Sequence, residues 1–140
     1  MLIGIPPVLG PDLLQILRAM GHGDEIALVD GNYPAVEHGK RVVRADGIDL
    51  VTMLAAVTKI LPVEAAFRAS HMNDPAQSGP IHQQIEAICR DCGQNFTVTA
   101  LSGDQLYPQI RNAFAIVATS EMALYANVIL RKGVLNRHPN

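Results

Sequence analysis

Apolar positions along the chain repeat with two periods, and the switching between them predicts a layered α/β fold. From Pro11-Asp12 onward, Leu13, Leu14, Ile16, Leu17 and Met20 fall at helical spacing. Gly21 is a natural stop, because glycine tolerates the left-handed backbone that ends helices. Residues 25–30 carry the unbroken run Ile26-Ala27-Leu28-Val29, as a strand covered on both faces does. Gly31-Asn32-Tyr33-Pro34 reads as a loop, and Val42-Val43 as a short extended piece before Arg44-Ala45-Asp46-Gly47. A second helix, opening near Gly47 or Asp49, has Leu50, Met53, Leu54, Val57, Ile60 and Leu61 as its stripe and ends at Pro62. Residues 65–72 read as a strand, and residues 73–80 as a loop long enough to be a lid. Ile81, Ile85, Ile88 and Cys92 mark the core face of a third helix that Gly93 closes. A strand over 96–101, a short helix over 103–112 with Pro108 near a turn, and strands over 114–118 and 127–130 complete the chain.

Strands alternate with helices and the composition never breaks, so residues 1–140 form one three-layer domain with helices on both faces of a sheet. The two closing strands are joined by residues 119–126 alone, which is short for a parallel crossover. The sheet is therefore expected to be mixed and mostly parallel.

Composition narrows the partners. Lys plus Arg number 11 and Asp plus Glu 13, a net charge of −2, so no basic excess is present to grip a phosphate backbone and nucleic acid is not expected. Charged residues are only 17% of a chain that is 49% hydrophobic, a weak sign of surface hidden between subunits. No apolar run approaches the roughly 20 residues of a membrane helix, and Met1 to Pro7 lacks the basic region of a secretion signal, so a cytoplasmic location without membrane contact is expected.

Three places hold side chains suited to chemistry. His22 stands between Gly21 and Gly23, just past a helix end. With little bulk around it, it is accessible, and the unperturbed pKa of histidine, about 6.5, suits proton transfer; a plain surface-loop histidine fits the same pattern. Asp30 sits at the carboxyl end of an apolar strand, where open α/β sheets place their ligands; it could accept hydrogen bonds from hydroxyls, or cap the turn through Gly31-Asn32. Tyr125-Ala126-Asn127 precedes the last strand and offers a phenol, an aromatic face and an amide, or else half-buried packing. Cys89-Arg90-Asp91-Cys92 lies within a helix pattern, with Cys92 on its apolar face, so it reads as packing rather than redox or metal chemistry. His38, His71, His82 and His138 show no metal-ligand spacing and read as structural or surface residues.

Taken in order, Gly21-His22-Gly23-Asp24-Glu25-Ile26, Asp30, Pro34-Ala35 and Arg44-Ala45-Asp46-Gly47 resemble the amino-terminal half of fucose mutarotases. Ala113-Phe114-Ala115-Ile116-Val117, Tyr125-Ala126-Asn127 and Ile129-Leu130-Arg131-Lys132-Gly133-Val134 resemble their carboxyl-terminal end. The related ribose pyranases share the histidine, the aspartate and the Tyr-Ala-Asn segment; the Arg44 and Ala113 blocks favour the fucose branch. The resemblance implies one α/β domain that assembles as a decamer of stacked rings, with no metal or organic cofactor. It carries catalysis onto His22, and sugar binding onto Asp30, Tyr125, Ala126 and Asn127. Near residue 103, where the resemblance implies a sugar-contacting arginine or histidine, the sequence reads Gly103 within Ser102-Gly103-Asp104-Gln105; either the alignment slips by a residue or two or that contact is lacking, which bears on the sugar accepted.

Mutarotation needs one group to take the proton of the anomeric hydroxyl and another to protonate the ring oxygen. His22 and Tyr125, whose phenol begins protonated at an unperturbed pKa of about 10, are the expected pair, with Asp30 and Asn127 holding hydroxyls. Interconversion of ribose ring forms, isomerisation of a related sugar acid, and a non-catalytic sugar-binding or sensing role are the alternatives. His22 and Asp30 flank a strand of five to six residues, roughly 17–20 Å long at about 3.3 Å each, so either the His22 loop folds back along it or two chains share one site.

Overall fold

In the computed structural model, which describes residues 1–136, each apolar stripe finds a sheet face to cover; His138 lies outside the described residues. Helix α1 (Pro11–Ala19) starts on a proline, whose missing N–H costs nothing in the first turn, and buries Leu13 and Leu17. Strand β1 (Glu25–Val29) is buried from Ile26 through Val29. A one-turn helix α2 (Ala35–His38), absent from the sequence pattern, follows the Pro34 loop and leads into β2 (Val42–Ala45). Helix α3 (Leu50–Ile60) is capped by Asp49, which accepts a 2.8 Å hydrogen bond from the Thr52 N–H, so Asp49 rather than Gly47 marks its start.

Strand β3 (Val63–Arg68) ends earlier than residues 65–72 suggested, and a single 3₁₀ turn (His71–Asn73) takes over. Met72 and Asn73 there have φ of 53° and 59°, left-handed values that no strand accommodates. Helix α4 (Pro80–Asp91) and strand β4 (Thr97–Ala100) follow, then helix α5 (Gly103–Asn112), β5 (Ala115–Thr119) and β6 (Val128–Lys132). Pro108 falls inside α5, not at its edge. On α4 the buried cysteine is Cys89, at 3% exposure, and not Cys92. Cys89 lies one turn beyond Ile85, whereas Cys92 is the C-cap, where the helix has already ended. Burial pushes the Cys89 thiol up to about 12, so it stays a protonated packing group.

The sheet has six strands in the order β2-β5-β1-β6-β3-β4. β5 pairs in parallel with both β1 and β2, and β3 in parallel with β4. β6 alone runs against its neighbours, β1 and β3. The eight residues between β5 and β6 can only turn the chain back, so β6 comes home antiparallel on the far side of β1. Alternate residues of the strands face opposite layers. Ile26, Leu28, Val117 and Leu130 meet α1, α3 and α4, while Ala27, Val29, Ile116 and Ile129 meet α5 and the start of α2.

Because β6 is reversed, its amino end shares an edge of the sheet with the carboxyl ends of the other five strands. Asp30, the 3₁₀ turn, Gly103 and the segment 125–127 all gather there.

Candidate active site

Asp30 ends β1 at that edge, and Asn127 enters β6 beside it. The Asp30 backbone N–H donates to Asn127 Oδ1 at 2.9 Å. A backbone amide can only donate, so the carboxamide orientation is fixed and Asn127 Nδ2 is left as a donor. The Asp30 carboxylate accepts from the Asn32 N–H at 2.9 Å, the turn-capping role open to it from sequence. That leaves acceptor capacity on its other oxygen. Burial raises the Asp30 pKa; the N–H groups of Asn32 and Tyr33 oppose this, and Glu121 adds to it.

Around these two residues lies a cavity of about 460 Å³, lined also by Tyr33, Pro34, His38, Tyr107 and Arg111. The rings of Tyr33 and Tyr107 stack at 6.3 Å between centroids and 27° between planes. Burial pushes both phenols up, for Tyr33 against the pull of Arg111 and for Tyr107 with the help of Asp30 and Tyr125, so both are hydroxyl donors at neutral pH. Arg111 donates to His38 Nε2 at 2.8 Å, which leaves the ring proton on Nδ1, 2.9 Å from the Tyr33 hydroxyl. A site with one carboxylate, one amide, phenols and a stacked aromatic wall suits a small polyhydroxylated ligand.

Tyr125 sits at the same edge with φ of 58°, an uncommon value for a tyrosine. Its ring meets His71 edge-on at 5.9 Å, and its hydroxyl lies 3.6 Å from Met72 Sδ. Its carbonyl accepts a 2.7 Å bond from His82 Nε2, and His82 Nδ1 in turn accepts from the Gly79 N–H at 2.8 Å. Both nitrogens of this fully buried imidazole are thereby used, and it is neutral. Burial lowers its pKa, against the Tyr125 carbonyl bond. Ala126 is wholly buried, backbone and methyl alike.

His22 is elsewhere. Gly23 N–H binds the Lys132 carbonyl, and Lys132 N–H binds the Asp24 carbonyl, so the His22 loop is tied to the carboxyl end of β6. The imidazole Nε2 lies 3.0 Å from Glu64 Oε2, and the side chains are 59% and 41% exposed. The loop does not fold back along β1. Within one chain, therefore, His22 and Glu64 occupy one edge of the sheet, and Asp30, Tyr125 and Asn127 the opposite edge.

The structure thus brings together Asp30, Asn127 and Tyr125 and leaves His22 apart from them. Sequence reasoning missed Tyr33, His38, Tyr107, Arg111 and Glu64. Tyr107 and Arg111 stand four apart on α5, a spacing that puts two polar side chains on one helix face. Nothing local marked Glu64, which reaches His22 only through the β3–β6 pairing. Among the described residues no group of three or more His, Cys, Asp or Glu side chains could hold a metal ion. Among those same residues no helix is long and apolar enough to cross a membrane.

Fold and site together define a compact α/β protein with a cavity of polar and aromatic side chains at one edge of a mixed sheet. Residues 3–135 match the RbsD / FucU transport protein family, and the chain belongs to it. It is 38% identical to the fucose mutarotase of Mus musculus, with 98% of this chain and 97% of that protein aligned. It is also 38% identical to the L-fucose mutarotase of Glaesserella parasuis, over 96% of each chain. The crystal structure of the fucose mutarotase from Streptococcus pneumoniae in complex with L-fucose superposes with a TM-score of 0.84 at 32% identity, covering 96% of this chain and all of that one.

Proposed function

We propose that this protein is an isomerase that interconverts the α and β anomers of a free monosaccharide, L-fucose or a sugar of similar shape. The observation that carries the reading is the cavity in which the Asp30 carboxylate and the Asn127 amide stand beside the stacked rings of Tyr33 and Tyr107. The full-length likeness to proteins named fucose mutarotase supports the choice of sugar.

Opening the ring breaks the bond between the anomeric carbon and the ring oxygen. The anomeric hydroxyl gives up its proton as the aldehyde forms, and the ring oxygen gains one. After rotation the hydroxyl adds to the other face of the carbonyl, and the protons return. His22 and Tyr125 are the proposed exchanging pair. The Glu64 carboxylate can only accept, so it holds the proton on His22 Nε2 and leaves the Nδ1 lone pair as base. Asp30, the Tyr125-Ala126-Asn127 segment and the Asn127 Nδ2 donor position the remaining hydroxyls.

Since His22 and Tyr125 lie at opposite edges of one sheet, the working site is built from two chains, with His22 from one and Asp30, Tyr125 and Asn127 from the other. The exposure of the His22–Glu64 pair leaves it open to a neighbour. A decamer of stacked rings, closed so that every junction is alike, would supply that neighbour in the cytoplasm.

The test is anomer exchange followed by magnetisation transfer across a panel of free sugars. His22→Ala should slow exchange by ~10²–10⁴, the usual contribution of one general acid or base. Inactive His22→Ala and Tyr125→Phe subunits, dissociated and reassembled together, should regain activity at junctions that pair the intact residues. No exchange of any sugar above the spontaneous rate would defeat the enzymatic reading. No recovery in the mixture, with reassembly confirmed by sedimentation, would defeat the shared site.

A further inference from the structure

Gly103, the first residue of α5, is buried although nothing about its backbone demands glycine. The reason is steric. A Cβ on Gly103 would lie 3.0 Å from Asn73 Oδ1, 3.1 Å from Asn73 Cγ and 3.2 Å from Tyr107 Cε2. The Asn73 carboxamide and the ring of Tyr107, which lines the cavity, therefore both crowd the position a side chain at 103 would take, and the carboxamide would have to give way by a few tenths of an ångström.

The backbone that delivers it is held in an unfavourable state. Met72 and Asn73 are both left-handed, at φ of 53° and 59°, and consecutive non-glycine residues of that kind are uncommon. Such strain concentrates at ligand sites, where the surrounding structure enforces it. Here the enforcement is visible: His71 meets the Tyr125 ring edge-on, Met72 Sδ meets the Tyr125 hydroxyl, and the Asn73 N–H binds the Ser70 carbonyl. The same turn meets Tyr125 and comes near Tyr107, and the exposed Asn73 carboxamide has no hydrogen-bond partner among the described residues. An amide carries two donors and an acceptor.

We infer that Asn73, seated on the bare face of Gly103 beside Tyr107, is a specificity-determining residue whose carboxamide hydrogen-bonds a hydroxyl of the bound sugar. Gly103 acts through it as a positioning residue. The inference rests on the cavity being the sugar site.

Asn73→Gly tests it cleanly, because glycine keeps the left-handed backbone and removes only the carboxamide. KM for L-fucose in the exchange assay should rise about 3–10-fold, what one neutral hydrogen bond is worth, with kcat within about twofold. Gly103→Ala should raise KM in the same direction by displacing the carboxamide, and should add nothing in the Asn73→Gly background. Among monodeoxy analogues of L-fucose, the one lacking the contacted hydroxyl should be handled equally by the wild type and Asn73→Gly. An unchanged KM in Asn73→Gly, a Gly103→Ala effect that persists without the carboxamide, or an equal KM penalty for every analogue overturns the inference. If the wild type exchanges no sugar, the reading of the cavity fails first and takes this inference with it.

Discussion

His82 is the most informative single position for the architecture of the site. Its imidazole is fully buried and joins two segments that the sheet alone would leave apart, donating to the Tyr125 carbonyl at 2.7 Å and accepting from the Gly79 N–H at 2.8 Å. His82→Leu fills a similar volume but strands both partners. An unsatisfied buried polar group costs about 1–3 kcal/mol. Gly79 and Tyr125 are each only half-buried, so water recovers part of the loss and about 2–4 kcal/mol in all is expected. For a chain of this size that corresponds to a fall in Tm of roughly 6–16 °C, measured by thermal unfolding at fixed protein concentration. Gln and Asn substitutions divide the two bonds. His82→Gln places an amide near Nε2 and keeps the Tyr125 bond; His82→Asn places one near Nδ1 and keeps the Gly79 bond. Anomer exchange should follow the Tyr125 bond, falling in Asn and Leu more than in Gln, because the left-handed Tyr125 backbone is what aims its ring.

The pH dependence has a definite sign. Burial, with Arg68 and His71 adding to it and the Tyr125 carbonyl and Glu86 opposing, holds the folded His82 below the ordinary histidine value. As pH drops through that ordinary value, the unfolded chain takes up a proton that the folded chain refuses. Stability present at neutral pH is therefore lost progressively toward the lower folded value. This component of the acid slope should be missing in His82→Gln. A His82→Leu variant with wild-type Tm and wild-type exchange would refute the reasoning.

Three further predictions concern other groups. The Asp30 pKa is raised mainly by burial, so its ionised form costs stability at neutral pH. Asp30→Asn should raise Tm at pH 7 while weakening sugar binding, and the Tm advantage should fade below the ordinary carboxylate range, where the wild-type group is protonated in both states. Asp49→Ala should cost about 1 kcal/mol in denaturant unfolding through loss of the α3 cap. The Thr52 hydrogen bonds hold the Asp49 pKa down, so the charge-dependent part of the cap's contribution is present above the ordinary carboxylate range and is lost as pH falls from there through the lower folded value. His22→Gln should slow exchange by ~10²–10⁴ without lowering Tm, because the His22 side chain is 59% exposed and packs against little; a variant exchanging at the wild-type rate would remove His22 from the reaction.

Local chemistry was enough to write most of this fold into the sequence. The run from Ile26 to Val29, the stripe from Leu50 to Ile60 and the short link before β6 state their own periods and lengths, so the alternation of layers and the reversal of the last strand follow from spacing alone. Asp30 and Tyr125-Ala126-Asn127 were legible as candidates because they border strands whose apolar character is unmistakable. What spacing could not give is which strand lies beside which. Only the order β2-β5-β1-β6-β3-β4 sets Asn127 against Asp30, 97 positions apart, and Glu64 against His22, 42 apart. The cavity wall of Tyr33 and Tyr107 comes from the loop before α2 and from α5, distant in sequence, and the burial of Cys89 in place of Cys92 turns on where α4 ends. The crowding of a side chain at 103 is invisible until Asn73, thirty residues earlier, is seen beside it. Short-range periodicity encodes the faces of each element because those faces are local geometry. The partners of each face are selected by packing free energy summed over the whole domain, and no stretch of the sequence carries that sum alone.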